Sequence, residues 1–256
     1  MNFRGGGKAV SVIPSVRECS PACEISIVVV ACCYSADRGG CMRICIASAC
    51  IRVTKGLRQA GILALGFAGI SVLACLGATD RIDRWGLNLS NSIALYPLDV
   101  AGCIASLAGD FEITGAVALA LSLLWGSREG LPGLTPLLLF VGVAIEAVLK
   151  HFLPHPGPPH ARGLQLLPLF HIHHYAAHWL PYSFPSGHML RTVFLAELIG
   201  RHKKSWRRIG WVLVGVMAFT RVYLNVHWTS DVVGGLLLGL ALAAATRAFP
   251  VGKRGC

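Results

Sequence analysis

From residue 61 to residue 78 the chain runs without a charge, about the length a helix needs to cross the hydrocarbon core of a bilayer. Further apolar runs lie at 113–125, 134–152, 186–200, 209–224 and 232–246. A soluble domain has little use for so many, and the composition agrees: 54% of the 256 residues are hydrophobic, only 14% are charged, and the mean hydropathy is +0.62. These values exclude an ordinary water-soluble fold and predict an all-α, six-transmembrane helical bundle. The 113–125 run is the shortest of the spans.

The net charge of +11 could suggest nucleic acid. The basic residues, however, fall in short clusters between apolar runs, as cytoplasmic loops facing anionic headgroups do. The densest cluster is Arg201, Lys203, Lys204, Arg207 and Arg208. With the basic residues of both tails it predicts cytoplasmic termini and places 80–110, 153–185 and 225–231 on the outer face. The 80–110 segment, with Trp85 and Tyr96, reads as mixed and interfacial, amphipathic around 100–108.

Residues 1–55 differ from the rest. They are rich in Gly and Cys, carry scattered charges and hold one short apolar run at 25–33, too brief to span. They are expected to be a disordered cytoplasmic extension, with Met42 as the natural start. Residues 56–249 are expected to be the membrane domain and 250–256 a short basic cytoplasmic tail. Seven of the ten cysteines fall between Cys19 and Cys50 without a C-x-x-C pair, so they support neither a zinc site nor a redox motif.

Two polar stretches interrupt the apolar pattern at the outer face. Pro185-Ser186-Gly187-His188 opens an apolar run, and a hydroxyl, a glycine and an imidazole at a helix start suit an anion. Read alone, it is also an ordinary cap and turn. The second runs from Thr220 to Asp231 and holds Arg221, His227 and Asp231, which are costly to leave unpaired at a membrane face. Asp231 follows His227 by four residues, so it can accept a ring N–H and leave the other nitrogen free as a nucleophile. Taken singly, His227 also reads as an interfacial histidine and Arg221 as a snorkelling anchor. Glu146 and Lys150, four apart with the acid first, form a favourable helical pair.

Together these stretches resemble the type 2 phosphatidic acid phosphatase family, related to the vanadium haloperoxidases. The family's second motif, Pro-Ser-Gly-His, is intact at Pro185 to His188. Its third, Ser-Arg, five residues, His, three residues, Asp, is met by Arg221, His227 and Asp231, with Thr220 in place of Ser. The first, Lys, six residues, Arg-Pro, is met by Lys150 and Pro158, but Gly157 stands where the arginine belongs. A lost guanidinium removes a bidentate phosphate contact. Arg191, Arg162 and the weaker His155 are the groups available to compensate.

The resemblance implies a membrane-bound lipid phosphatase without cofactor or metal, in which His227 attacks phosphorus, Asp231 orients it and His188 handles the leaving-group proton. It further implies that Lys150, Arg221, Ser186 and Gly187 hold the phosphate oxygens. The expected substrate is a lipid phosphate or isoprenoid diphosphate: undecaprenyl diphosphate, phosphatidic acid or phosphatidylglycerol phosphate. The expected location is a bacterial inner membrane with the site on the periplasmic side; a homodimer is left open and no nucleic-acid partner is expected. A lipid phosphotransferase and a non-catalytic lipid-phosphate binder are the alternatives, the latter because of Gly157. His151, His155, His160, His171, His173, His174 and His178 crowd one loop. They are read as the rim of a headgroup entrance, with a metal site as the competing reading.

Overall fold

The computed structural model describes residues 55–129, 134–162, 180–201 and 204–247, all within one compact unit, Thr54–Cys256. The expectations for the N-terminal extension, Met42, the C-terminal tail, His171, His173, His174 and His178 lie outside the described residues. Among these residues the secondary structure is entirely helical. In order come α1 (Lys55–Cys75), α2 (Asp80–Ser92), α3 (Tyr96–Ser106), a 3-10 turn (Leu107–Gly109), α4 (Phe111–Glu129), α5 (Leu134–Phe152), α6 (Gly187–Ile199), α7 (Lys204–Tyr223) and α8 (Thr229–Ala245).

Among the described residues, three helical segments are long and apolar enough to cross a membrane: Gly56–Cys75, Tyr96–Leu124 and Thr135–Phe152. Their outward faces are apolar, as at Ile62, Leu65, Leu123 and Phe140, which suits contact with lipid. The chain is an integral membrane protein of helices. The second segment absorbs 100–108, expected at the interface. α7 begins at Lys204 rather than near residue 209, because Lys and Arg are good helix formers and the basic cluster continues the helix instead of looping.

α6 is the centre of the unit. Residues 189 to 198 are buried without a break, so the helix shows no apolar stripe to mark a preferred face. Leu190, Phe194, Leu195 and Leu198 pack with Leu238 and Leu242 of α8, Ala118 of α4 and Leu139 of α5, while Met189 and Val193 meet Val214 and Met217 of α7. α8 lies close because it offers glycine at the contact. A Cβ at Gly235 would sit 2.4 Å from the Ser186 carbonyl oxygen, and one at Gly239 2.6 Å from that of Leu190. Small residues permit such backbone approach between membrane helices.

The segment 80–110 is where sequence and structure differ most. α2 is amphipathic with its polar side inward: Asp83, Gly86 and Ser90 are buried, spaced to share one face, while Ile82, Trp85 and Leu89 are exposed. The helix presents apolar groups outward and carries hydrogen-bonding groups to the end of the bundle.

Candidate active site

Four helix ends meet at one end of the unit. α5 and α7 arrive by their C-termini, bringing Lys150 and Arg221; α6 and α8 depart by their N-termini, bringing Ser186 to His188 and Asp231. This succession follows from consecutive antiparallel helices. The two intact motifs are joined through backbone, since Ser186 N donates to the Asp231 carbonyl at 3.0 Å.

His227 lies in the turn between α7 and α8, where Asn225 takes a positive φ of 54°, a conformation asparagine tolerates. Its Nδ1 is 3.1 Å from Asp231 Oδ2, and the same oxygen accepts the Trp228 N–H at 3.0 Å. Asp231 therefore caps α8 while fixing the imidazole. Because a carboxylate only accepts, Nδ1 carries the proton and Nε2 keeps its lone pair. Burial holds the His227 pKa below its ordinary value and Lys150 and Arg221 add to this, while the Asp231 carboxylate opposes it. A neutral ring at neutral pH follows.

His188, at the start of α6, has its Nε2 2.8 Å from Asp110 Oδ1. Asp110 follows the 3-10 turn and belongs to no recognised motif; no sequence signal marks a partner 78 residues away. Arg221, Arg191, His227 and Lys150 all lie within electrostatic reach of His188. Ser186 is fully buried, and its Oγ has no hydrogen-bond partner among the described residues; the same is true of Arg221 Nε.

Lys150 and Arg191 share a carboxylate. Glu146 Oε1 is 2.7 Å from Lys150 Nζ and Oε2 is 3.0 Å from Arg191 Nη1, while Arg191 Nε donates to the Gly109 carbonyl at 3.0 Å. The carboxylate packs on Gly187, where a Cβ would lie 2.0 Å from Oε1. A side chain at position 187 would therefore displace the Glu146 carboxylate from its place between Lys150 and Arg191.

The remaining compensating groups lie elsewhere. Arg162 donates to the Tyr223 carbonyl and to Asn91 Oδ1, pairs with Asp99 at 3.4 Å and stacks over the Tyr223 ring. It ties the end of α7 to α2 and α3. His155 is buried beneath Asp231, with Nε2 3.3 Å from Asp231 Oδ1. Gly157 is exposed, and a Cβ there would meet only Ser183 Cβ, at 3.6 Å. Of the other described loop histidines, His151 and His160 are exposed. Among the described residues, no three or more His, Cys, Asp or Glu side chains cluster as a metal site.

Two His–carboxylate pairs and three cationic side chains thus meet at one end of an all-helical unit. The chain matches the family model of the PAP2 superfamily over residues 133–254. It is 27% identical over 179 residues to YbjG of Escherichia coli (strain K12), a candidate undecaprenyl-diphosphatase, covering 67% of this chain and 77% of that one. It is 31% identical over 134 residues to phosphatidylglycerophosphatase B of Bacillus subtilis (strain 168), covering 48% of this chain and 60% of the relative, short of two thirds of its length. A crystal structure of a transmembrane PAP2-type phosphatidylglycerolphosphate phosphatase from Bacillus subtilis superposes with a TM-score of 0.54 over 74% of this chain and 94% of that one. At 23% identity it shows the shared fold.

Proposed function

We propose that the protein hydrolyses a lipid phosphate or isoprenoid diphosphate through a phosphohistidine, undecaprenyl diphosphate being the preferred substrate and phosphatidylglycerol phosphate and phosphatidic acid the others. The observation that carries this reading is the pair of buried, unpartnered donors, Ser186 Oγ and Arg221 Nε, in the two motifs that also carry His188 and His227. Buried polar groups normally find partners, and a phosphate oxygen supplies acceptors for both.

His227 Nε2 attacks phosphorus and the bond to the leaving oxygen breaks, with His188, steadied by Asp110, giving that oxygen its proton. The phosphate's charge favours the imidazolium form of His188 among the surrounding cations. His188, now neutral, takes a proton from the water that attacks the phosphohistidine; inorganic phosphate leaves and Nε2 is restored. Lys150, Arg221, Ser186 and the Gly187 amide stabilise the equatorial oxygens, as phosphoryl transfer requires. Arg191 takes the place left by Gly157: it lies one turn along α6 from His188, and two of its five donors are engaged by Glu146 and Gly109. The six apolar runs support six spans, and the basic residues at 201–208 and in the tails support cytoplasmic termini with the site on the periplasmic face. No metal takes part in this mechanism.

The test is phosphate release from a panel of the three lipids by the protein purified in detergent, with EDTA present. His227→Ala loses all release. Appreciable turnover by that variant refutes the phosphohistidine, and product carrying the phosphoryl group on a hydroxyl with no free phosphate assigns a phosphotransferase.

A further inference from the structure

We infer that His155 is a positioning residue for the His227–Asp231 pair, acting through the second oxygen of Asp231. The inference rests on the proposed role of His227 as nucleophile. Asp231 is fully buried. Its Oδ2 serves His227 Nδ1 and the Trp228 N–H, whereas Oδ1 has no hydrogen-bond partner among the described residues. The group that faces Oδ1 is His155 Nε2, at 3.3 Å.

The tautomer of His155 is fixed by its surroundings. Nε2 is also 3.3 Å from Ser230 Oγ, but that hydroxyl spends its proton on Asp83 Oδ2 at 2.8 Å. Both neighbours of Nε2 can then only accept, so Nε2 carries the hydrogen and shares it between them. Asp83 in turn is held from α2 by the Ser230 N–H at 2.8 Å. The His155 carbonyl accepts from Ser183 N at 2.9 Å and Ser183 Oγ at 3.1 Å, and its ring stands edge-on to buried Phe184, with centroids 6.1 Å apart. A continuous chain results: Asp83, Ser230, His155, Asp231, His227.

The chain does two things for the nucleophile. The Nε2–H facing Oδ1 at 3.3 Å restrains the carboxylate electrostatically, so that Oδ2 stays aimed at Nδ1 of His227. It also supplies a dipole to a buried anion without adding a charge, which leaves Asp231 free to stabilise the positive charge that develops on His227 during attack. His155 touches no phosphate in this arrangement; it acts through Asp231. The second histidine of the first-motif segment thus belongs to the third motif's catalytic pair.

The experiment compares the full-length protein with His155→Leu and His155→Gln in detergent, on the lipid the parent turns over. With His155→Leu, kcat falls by at least about tenfold while KM stays within about twofold; with His155→Gln, whose amide donates from nearly the same place, kcat returns to within about threefold of the parent. Melting temperature is measured on both, and His155→Asn, too short to reach Oδ1, replaces the leucine variant if that one does not fold. An unchanged kcat in the leucine variant overturns the inference. So does an equal loss in both variants that tracks melting temperature, or a raised KM with kcat unchanged, which would make His155 a phosphate ligand. His227→Ala is assayed alongside. Turnover there refutes the nucleophile itself, whereas an inactive His227→Ala with a fully active His155→Leu refutes only the positioning role.

Discussion

Arg191 and Gly157 form a testable pair, because the first asks whether a guanidinium is needed and the second whether its origin matters. Arg191 is 4% exposed and fixed by Glu146 and the Gly109 carbonyl, so its position is set before substrate binds. A preorganised donor of this kind contributes on the order of 3 kcal/mol to the transition state, and Arg191→Gln should lower kcat/KM about a hundredfold. Gly157→Arg is sterically permitted: a Cβ meets only Ser183 Cβ at an ordinary 3.6 Å, and the backbone there is not in the positive-φ region. Alone, Gly157→Arg should change kcat/KM by less than about threefold, since the place is already served. Combined with Arg191→Gln it should recover at least about tenfold, by delivering the guanidinium from the first-motif side. Phosphate release at several substrate concentrations, with melting curves for all three variants, measures this. A large gain from Gly157→Arg alone would mean that Arg191 supplies nothing and that the site is impaired as it stands. A fully active Arg191→Gln would lead to the same conclusion.

The pH dependence has a definite sign. His227 attacks as the neutral ring, and its pKa is held below the ordinary value by burial. The need for a neutral His227 should therefore give an acidic limb, activity falling as pH drops below about 6.5. Loss of the His188 proton sets a separate limb on the alkaline side, whereas an acidic limb lying above neutrality contradicts the assignment. Asp231→Asn removes the group that raises that pKa, so the limb should move further down in pH while kcat falls. Glu146→Gln should lower KM by about tenfold, because the carboxylate holding Lys150 and Arg191 no longer competes with the phosphate; a raised KM would show that Glu146 aims those cations instead. At the opposite end of the unit, Glu197 accepts from Trp211 Nε1 at 3.0 Å and pairs with the half-exposed Arg247 at 2.7 Å. Glu197→Ala should cost about 1–2 kcal/mol of stability, read as a lowered melting temperature, with KM unchanged.

The sequence was legible where the physics is local. The 134–152 helix was read with its observed bounds, and His227 and Asp231 declared their contact by a four-residue spacing across a helix start. Asp110, Asp83 and the placement of His155 were not legible, since each acts on a partner more than seventy residues away, and hydrogen-bonding pairs at that distance leave no periodicity. α2 was missed for a different reason. Its hydrogen-bonding face is inward and its apolar face outward, so a rule that sends apolar residues to a core reads the segment as mixed and interfacial and misses the helix. Lipid on the outside and a polar site on the inside reverse that rule. Arg191 was legible as a guanidinium one turn beyond His188, but its anchorage to Glu146 and the Gly109 carbonyl was not, since both partners lie more than forty residues away.

The charges at the site explain how so polar a cluster can be buried before any ligand arrives. Lys150, Arg191 and Arg221 are matched by Glu146, Asp110 and Asp231, with His227 neutral. Unpaired, three buried cations at a membrane face would carry a heavy desolvation cost. Glu146 satisfies two of them together, and Asp110 lies within electrostatic reach of the third. On the proposed function, a phosphate entering between Ser186 and Arg221 adds negative charge to a balanced site, so part of its binding free energy goes to competing with Glu146 for Lys150 and Arg191. Affinity for the ground state is thereby moderated.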